Sequence, residues 1–367
     1  MKTEHAGFRI PNLKSEITNR KSVFRRAFTL IELLVVIVII GILMGLMVAA
    51  AGPVRILVLN WRMKSEVTQM ALALERVRSD LGGGQYPPDS SNLAAGSVST
   101  ADFQQFFRRA FSRCQCTFAL NSTPPTVTVS TPTGTLTYNL PGNPAEALVF
   151  WLGGARDTSG NFIGFSSNPL NPFDTSSSTG RIGPFFEFDR SRVGPGASSN
   201  GNSNFSSNPW NWVYYPQNNL TTNQAGTPIT AVAPPSAQYP PQPYTYFKAV
   251  ANAYAPAWTS GYNCNCAMPF VDAAATVQAQ SASSNAPPVW VNAQSFQLLC
   301  PGLDGLYGDA ANTNGPQATT QAPNPPLYPS GTWSGGTVNL NGSNYGKNTL
   351  DDITNFSKGS KLESDMP

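Results

Sequence analysis

Two sets of residues in this chain have types and spacings that could do chemistry. Glu32 stands within "RRAFTLIELLVVIVIIGILMGLMVAA", residues 25–50, at the start of a run apolar enough to enter a lipid bilayer. An ionised side chain deep in a bilayer costs about 2.5–3.5 kcal/mol on insertion scales, so Glu32 needs a compensating partner. The second set is the cysteines: Cys114 with Cys116, Cys264 with Cys266, and Cys300. The two C-x-C pairs could close disulfides or offer four thiolates to zinc. Imidazole chemistry has no place in the bulk of the chain, because the only histidine is His5. G-x-S-x-G, P-loop and H-E-x-x-H motifs are also absent, which removes the commonest nucleophile, phosphate and zinc signatures. "DTSG" at Asp157 reads as a turn. Glu187 and Asp189 alternate with Phe in "FFEFD" and read as the solvent face of a strand. Trp210, Trp212 and Tyr214 suit a core more readily than a substrate surface.

The element that positions Glu32 is a membrane helix. Leu33 to Ala51 carries no charge and no strongly polar side chain, and about 20 such residues cross a hydrocarbon core. Residues 1–27 hold Lys2, Arg9, Lys14, Arg20, Lys21, Arg25 and Arg26 against Glu4 and Glu16, a net of +5. This basic end belongs in the cytoplasm, with the bulk of the chain across the membrane. From Phe28 onward there are 16 basic and 18 acidic residues, which gives no support for a broad nucleic-acid surface. An oxidising compartment favours disulfide over zinc. A bridge inside one C-x-C would be strained, so the sequence points to a link between the 114/116 and 264/266 pairs. Five is an odd number, so at least one cysteine is free or pairs with another chain.

Beyond the membrane the helix should continue to Leu81, kinked near Pro53. Ile56, Met63, Met70 and Val77 recur every seven residues, interleaved with Val67, Leu74 and Leu81, a stripe suited to a partner or, more commonly, to the domain's own core. "LGGGQYPPDS" ends it. Helices are expected over 102–113 and over 143–152, the latter capped by Asn143 with Pro144 at its first position. Strands are expected at "TVTVST", "TLTYN", "FFEFD", "WVYY", "YTYFKAV" and "VWVNAQSFQLLC". Loops rich in Ser, Asn and Gly fill 157–183, 194–209 and 216–238. Only 12% of residues are charged but 11% are aromatic, which fits a folded, loop-rich domain. The fold class is α+β: a long N-terminal transmembrane and amphipathic helix followed by an antiparallel-sheet domain. Its parts are a leader, 1–27, the helix, 28–81, and an extracytoplasmic domain, 82–367, with a large central insertion near 89–290.

"RRAFTLIELLVVIVIIGIL" resembles the N-terminal segment of type IV pilins and type II secretion pseudopilins. The resemblance implies that a prepilin peptidase cuts between Ala27 and Phe28 and that the new amine of Phe28 is methylated. Glu32 is then the fifth mature residue, and the ammonium of Phe28 on a neighbouring subunit is its counterion. Ala27 departs from the family's usual Gly before the cut. "QYPPDS" is similar to the Tyr-Pro element after the helix of major pseudopilins. "FQLLCPGLDGLYGD" and "NTLDDITNFSKG" resemble their calcium-holding C-terminal region, which implies Asp304, Asp309, Asp351 and Asp352 as ligands. Without calcium, Asp304-Gly305 is a hairpin turn.

The function implied is a non-enzymatic subunit of a type II secretion pseudopilus in the bacterial inner membrane. Its partners would be the peptidase, further pilin-like subunits, inner-membrane assembly machinery and lipid. The alternatives are a type IV pilus subunit for adhesion, motility or DNA uptake, and a membrane-anchored exported enzyme or binding domain. Two other origins for the apolar run are an ordinary anchor with a fortuitous Glu, and a signal peptide cut before Gly52.

Overall fold

A computed structural model describes residues 29–365 except 92, 94–96, 123, 133, 177–179, 196–209, 217–219, 222–229, 232–241, 255–266, 284–285, 304, 306, 308–325, 330–331, 335–336 and 340–351. The chain divides into two compact units, residues 1–54 and 55–367. Helix α1, Leu30–Asp80, contributes to both, and its helical backbone passes Pro53 without a break.

In the first unit α1 is apolar on every side after Glu32. In the second it is amphipathic: Met63, Val67, Met70, Leu74, Val77 and Leu81 are buried, whereas Ile56 at the head of the expected stripe is 54% exposed. The C-terminal half of the stripe is therefore the domain's own core, and it begins one heptad later than the spacing predicts. The glycine run ends the helix for a specific reason. Gly83 and Gly84 take positive φ of 55° and 93°, a region that costs a Cβ-bearing residue strain. The Gly82 and Gly84 amides return to Val77 O and Arg78 O.

The remaining elements follow in order. Helix α2 is Val98–Ala110, with Ser97 accepting from Thr100 N as its cap. Strands β1 (Cys116–Ala119), β2 (Thr126–Thr131) and β3 (Gly134–Asn139) form an antiparallel meander. Helix α3, Pro144–Gly153, has Asn143 accepting from both Ala145 N and Glu146 N. All ten of its residues are buried; nine carry no charge, and the Glu146 carboxylate accepts from Gly142 N at 2.9 Å. Strands β4 (Ala155–Arg156), β5 (Phe162–Ser166) and β6 (Arg181–Ile182) pair antiparallel. Strands β7 (Val193–Pro195) and β8 (Trp212–Tyr214) make a second antiparallel pair, and β9 (Leu220–Thr221) and β10 (Thr230–Ala231) a third.

Then come β11 (Thr245–Lys248), β12 (Val271–Asp272), helix α4 (Ala273–Ala282), β13 (Phe296–Cys300), β14 (Leu327–Tyr328), β15 (Thr332–Ser334), β16 (Thr337–Asn339) and β17 (Ile353–Thr354). Strand β13 lies centrally in the antiparallel sheet β11-β13-β17, with Tyr246 opposite Leu298 and Leu299 opposite Thr354. Strands β12 and β14 run parallel. The architecture is the expected long apolar helix followed by a mixed helical and antiparallel-sheet region.

Met63, Val67, Met70 and Leu74 share one core with Leu298, Cys300 and Ile353 of the sheet and with Phe103, Phe106, Phe150 and Trp151 of α2 and α3. Trp210, Trp212 and Tyr214 are buried in it as well. "FFEFD" is not a strand. The Phe185 and Phe186 amides donate to Leu152 O at the end of α3, so they are unavailable to a ladder. Asp189 instead accepts from Ser191 N and caps the 3-10 turn Arg190–Arg192.

Candidate assembly helix and its anchorage

The first turn of α1 is built from Thr29 and Glu32. Thr29 N and Thr29 Oγ1 each donate to Glu32 Oε2 at 2.8 Å, and Glu32 N donates to Thr29 Oγ1 at 3.3 Å. This is a reciprocal capping box, in which two otherwise orphaned amides are satisfied by two side chains. The T-x-x-E spacing in "TLIE" carries that signal, and reading Glu32 only as a buried charge misses it. The box occupies Oε2, and among the described residues no cation lies within salt-bridge distance of Glu32. Ala27 and Phe28, the residues flanking the expected cut, lie outside the described residues.

From Leu30 to Val48 the helix is long and apolar enough to cross a membrane, and none of that span is buried by the protein itself. Its large side chains range from 44% exposed at Val36 to 81% at Leu30. Burying a large aliphatic side chain is worth about 1.5–3 kcal/mol, so this surface has a strong need for lipid or other helices. A Cβ added at Gly41 or Gly45 would meet nothing within 4 Å.

In the second unit, two polar fixtures add to the apolar stripe. Glu66 receives Arg192 in a fork, Nη1 to Oε2 at 3.0 Å and Nη2 to Oε1 at 2.7 Å. Tyr244 Oη donates to Glu66 Oε2 at 2.8 Å, and Arg62 Nε to Oε1 at 3.3 Å. The Arg192 side chain is 2% exposed, donates to Pro216 O at 2.7 Å and lies 4.4 Å from the centroid of the Tyr214 ring. Burial works against its charge, but hydrogen bonding and attraction to Glu66 outweigh that and hold it above the ordinary guanidinium range. Burial pushes the Tyr244 hydroxyl well above its usual pKa, and the neighbouring Cys300 and Glu66 add to the rise. A cleft of about 350 Å³ opens beside this fork, lined by Arg62, Glu66, Gln69, Phe186, Asp189 and Arg192 among others.

The second fixture is Lys64. Its Nζ donates to Thr354 O at 2.7 Å, Ser357 O at 2.6 Å and Ser357 Oγ at 3.0 Å, so the C-terminal segment clasps an ammonium from α1. Burial lowers the Lys64 pKa, and Asp365 works in the opposite direction. After the helix, Tyr86 Oη donates to Glu75 Oε1 at 2.5 Å, and the Arg78 guanidinium lies 4.8 Å from the Tyr86 ring centroid. Trp151 Nε1 and Tyr246 Oη donate to Pro88 O and Pro87 O. The Tyr-Pro-Pro element is thus tied to the helix on one side and the core on the other. Neither polar fixture was foreseen from the sequence, because 126 residues separate Glu66 from Arg192 and no local pattern links them.

The cysteine expectation needs correction. Cys114 is bonded to Cys116, not to the second pair. Their Cα atoms are 5.5 Å apart, inside the usual disulfide range, because the chain turns after α2 and Cys114 N donates to Phe111 O at 3.0 Å. Cys264 and Cys266 lie outside the described residues, and Cys300 is a buried free thiol. Of the four aspartates, Asp304, Asp309 and Asp351 also lie outside the described residues. Asp352 is 3% exposed, and its carbonyl accepts from Leu362 N. Among the described residues no three His, Cys, Asp or Glu gather as a metal site. Asp157 accepts from Asn161 N at 2.8 Å, which is the turn its sequence implies.

Compared with known proteins, residues 24–48 match the family model described as the prokaryotic N-terminal methylation motif. No curated protein and no solved structure matches the chain. The matched residues include the basic pair Arg25-Arg26, the Ala27-Phe28 junction, the capping box and the exposed apolar helix as far as Val48. The chain therefore carries a prepilin-type N-terminal methylation motif at residues 24–48.

Proposed function

We propose that this protein is a non-catalytic structural subunit of a type IV pilin-like filament, anchored in the bacterial inner membrane and exported beyond Val48. The observation that carries the reading is the joint presence of the methylation motif and an unburied apolar helix with a carboxylate in its first turn. A prepilin peptidase cuts between Ala27 and Phe28, and the amine of Phe28 is methylated. In the filament that ammonium meets Glu32 of a neighbouring subunit, while the surfaces around Gly41 and Gly45 allow close helix approach. Further pilin-like subunits and the inner-membrane assembly machinery are the partners.

Within this class we favour a type II secretion pseudopilin over a surface pilus subunit. Support comes from the Tyr86-Pro87-Pro88 element tied between α1 and the core. Calcium at Asp304, Asp309, Asp351 and Asp352 belongs to the same reading. Asp352 is suitably buried, and a carboxylate removed from water favours a hard cation beside it.

Mass spectrometry of protein from its native host tests the core of this proposal. The expected first residue is N-methylated Phe28; retention of Met1, or an unmodified Gly52, would refute it. Deletion of the gene distinguishes the finer readings. Loss of exported proteins supports the pseudopilin, loss of twitching or attachment supports the pilus, and loss of one catalytic activity with filaments intact supports an anchored enzyme.

A further inference from the structure

The bond between Cys114 and Cys116 closes a loop of only three residues, and cross-links over the shortest loops restrict the unfolded chain least. Stability is therefore a poor explanation for it, and its surroundings favour thiol chemistry. Between Phe103 and Ala145 the chain has Arg108, Arg109 and Arg113 and no acidic residue. All three arginines are exposed, and among the described residues none of them is in an ion pair. Cations near a cysteine stabilise its thiolate, the form that leaves when a disulfide is attacked. Neither Cys114 nor Cys116 is enclosed; both are half-buried, flanking the exposed Gln115. Cys116 opens β1, an outer strand of its three-stranded sheet. Cys300, by contrast, is fully buried, and burial pushes its thiol well above the usual range.

We propose that Cys114–Cys116 is an exchangeable disulfide that oxidises dithiols of other polypeptides in the same compartment. A thiolate of the partner attacks Sγ of Cys116. The Cys114–Cys116 bond breaks, and its electron pair leaves on Cys114 Sγ, one residue along the chain from the exposed Arg113. A second partner thiolate then attacks the partner's sulfur in the mixed disulfide and releases Cys116 as a thiolate. The partner loses two electrons and two protons and gains a disulfide. The C-x-C takes up both electrons and, on protonation, both protons as a dithiol, so each chain oxidises one equivalent. This activity stands whether or not the apolar helix assembles.

The test uses the full-length oxidised protein in detergent, equilibrated with graded mixtures of reduced and oxidised glutathione, quenched by alkylation and digested with trypsin. Cleavage after Arg113 yields a peptide beginning at Cys114, whose reduced fraction is read by mass. The peptide should pass from oxidised to reduced within the glutathione series. Reaction with a reduced dithiol peptide should slow roughly tenfold in Arg113→Glu, a variant of an exposed side chain. A double Cys114→Ser, Cys116→Ser variant should keep its melting temperature within about 2 °C. A peptide that stays oxidised throughout, an unslowed Arg113→Glu, a loss of more than about 5 °C in the double variant, or Cys114 recovered bonded to Cys264 or Cys266 would each overturn the proposal.

Discussion

The two halves of α1 make opposite use of the same residue types. After Glu32, Leu33–Val48 is apolar on every face and exposes its large side chains, whereas in Met63–Leu81 the large apolar side chains, apart from the exposed Leu72, form one buried stripe. A helix that is apolar all round requires an apolar environment on all sides, and a striped one requires a single surface. The second half finds that surface within its own chain, on β13, β17, α2 and α3. Among the described residues nothing covers Leu30–Val48, and lipid or neighbouring helices are the surroundings such a surface suits. Polar residues follow the same division. Glu66 is satisfied by Arg192, Tyr244 and Arg62 of its own chain, while among the described residues Glu32 is bound by its local capping partner Thr29. The difference marks Glu66 as a folding residue and, under the proposed function, leaves Glu32 for assembly.

Several substitutions would break or sharpen that contrast. The largest effect is expected for Glu32→Ala, which should insert in the membrane yet abolish filaments when scored by electron microscopy, with no change in the domain's melting temperature. Glu66→Ala should do the reverse at the level of the domain. It leaves Arg192 buried without its carboxylate, at a cost of about 3–5 kcal/mol, measurable by denaturant unfolding of the solubilised protein. Leu74→Ala should cost about 2–5 kcal/mol as a core cavity, whereas Leu34→Ala should leave domain unfolding unchanged. Chelation, if calcium saturates the proposed aspartates a hundredfold over its dissociation constant, should remove about 2.7 kcal/mol; an unchanged melting curve in chelator would exclude the ion. Thr29→Ala, which deletes half of the capping box, should lower helix stability by about 0.5–2 kcal/mol without destroying assembly.

The parts of the fold that local chemistry determines were legible. The glycine stop after Leu81, the Asn143-Pro144 start of α3 and the strand Thr126–Thr131 fall where their residues place them. Where backbone partners come from afar, sequence reading fails. "FFEFD" has the alternation of a strand, but Leu152 O claims two of its amides. Strand β5 lies inside what looks like a Ser-, Asn- and Gly-rich loop because its partners, β4 and β6, are too short to give a pattern. Helix α4 was not foreseen because "AAATVQAQSA" has no clear apolar stripe, although Asp272 caps it through Ala275 N. The candidate site divides in the same way. The membrane run and its carboxylate are visible in the sequence, but Glu66 and Lys64 acquire their roles only from segments more than a hundred residues away.

Glu32→Gln separates the observed capping role of this residue from its proposed role as a counterion. Glutamine can keep the capping box with Thr29, since its side chain also reaches the N-cap amide, but it brings no negative charge for an ammonium on a neighbouring subunit. Counting filaments from cells expressing Glu32→Gln at wild-type membrane levels is the most direct test. The account predicts membrane-inserted protein with filaments lost or reduced at least tenfold; filaments as abundant as those of the wild type would contradict it.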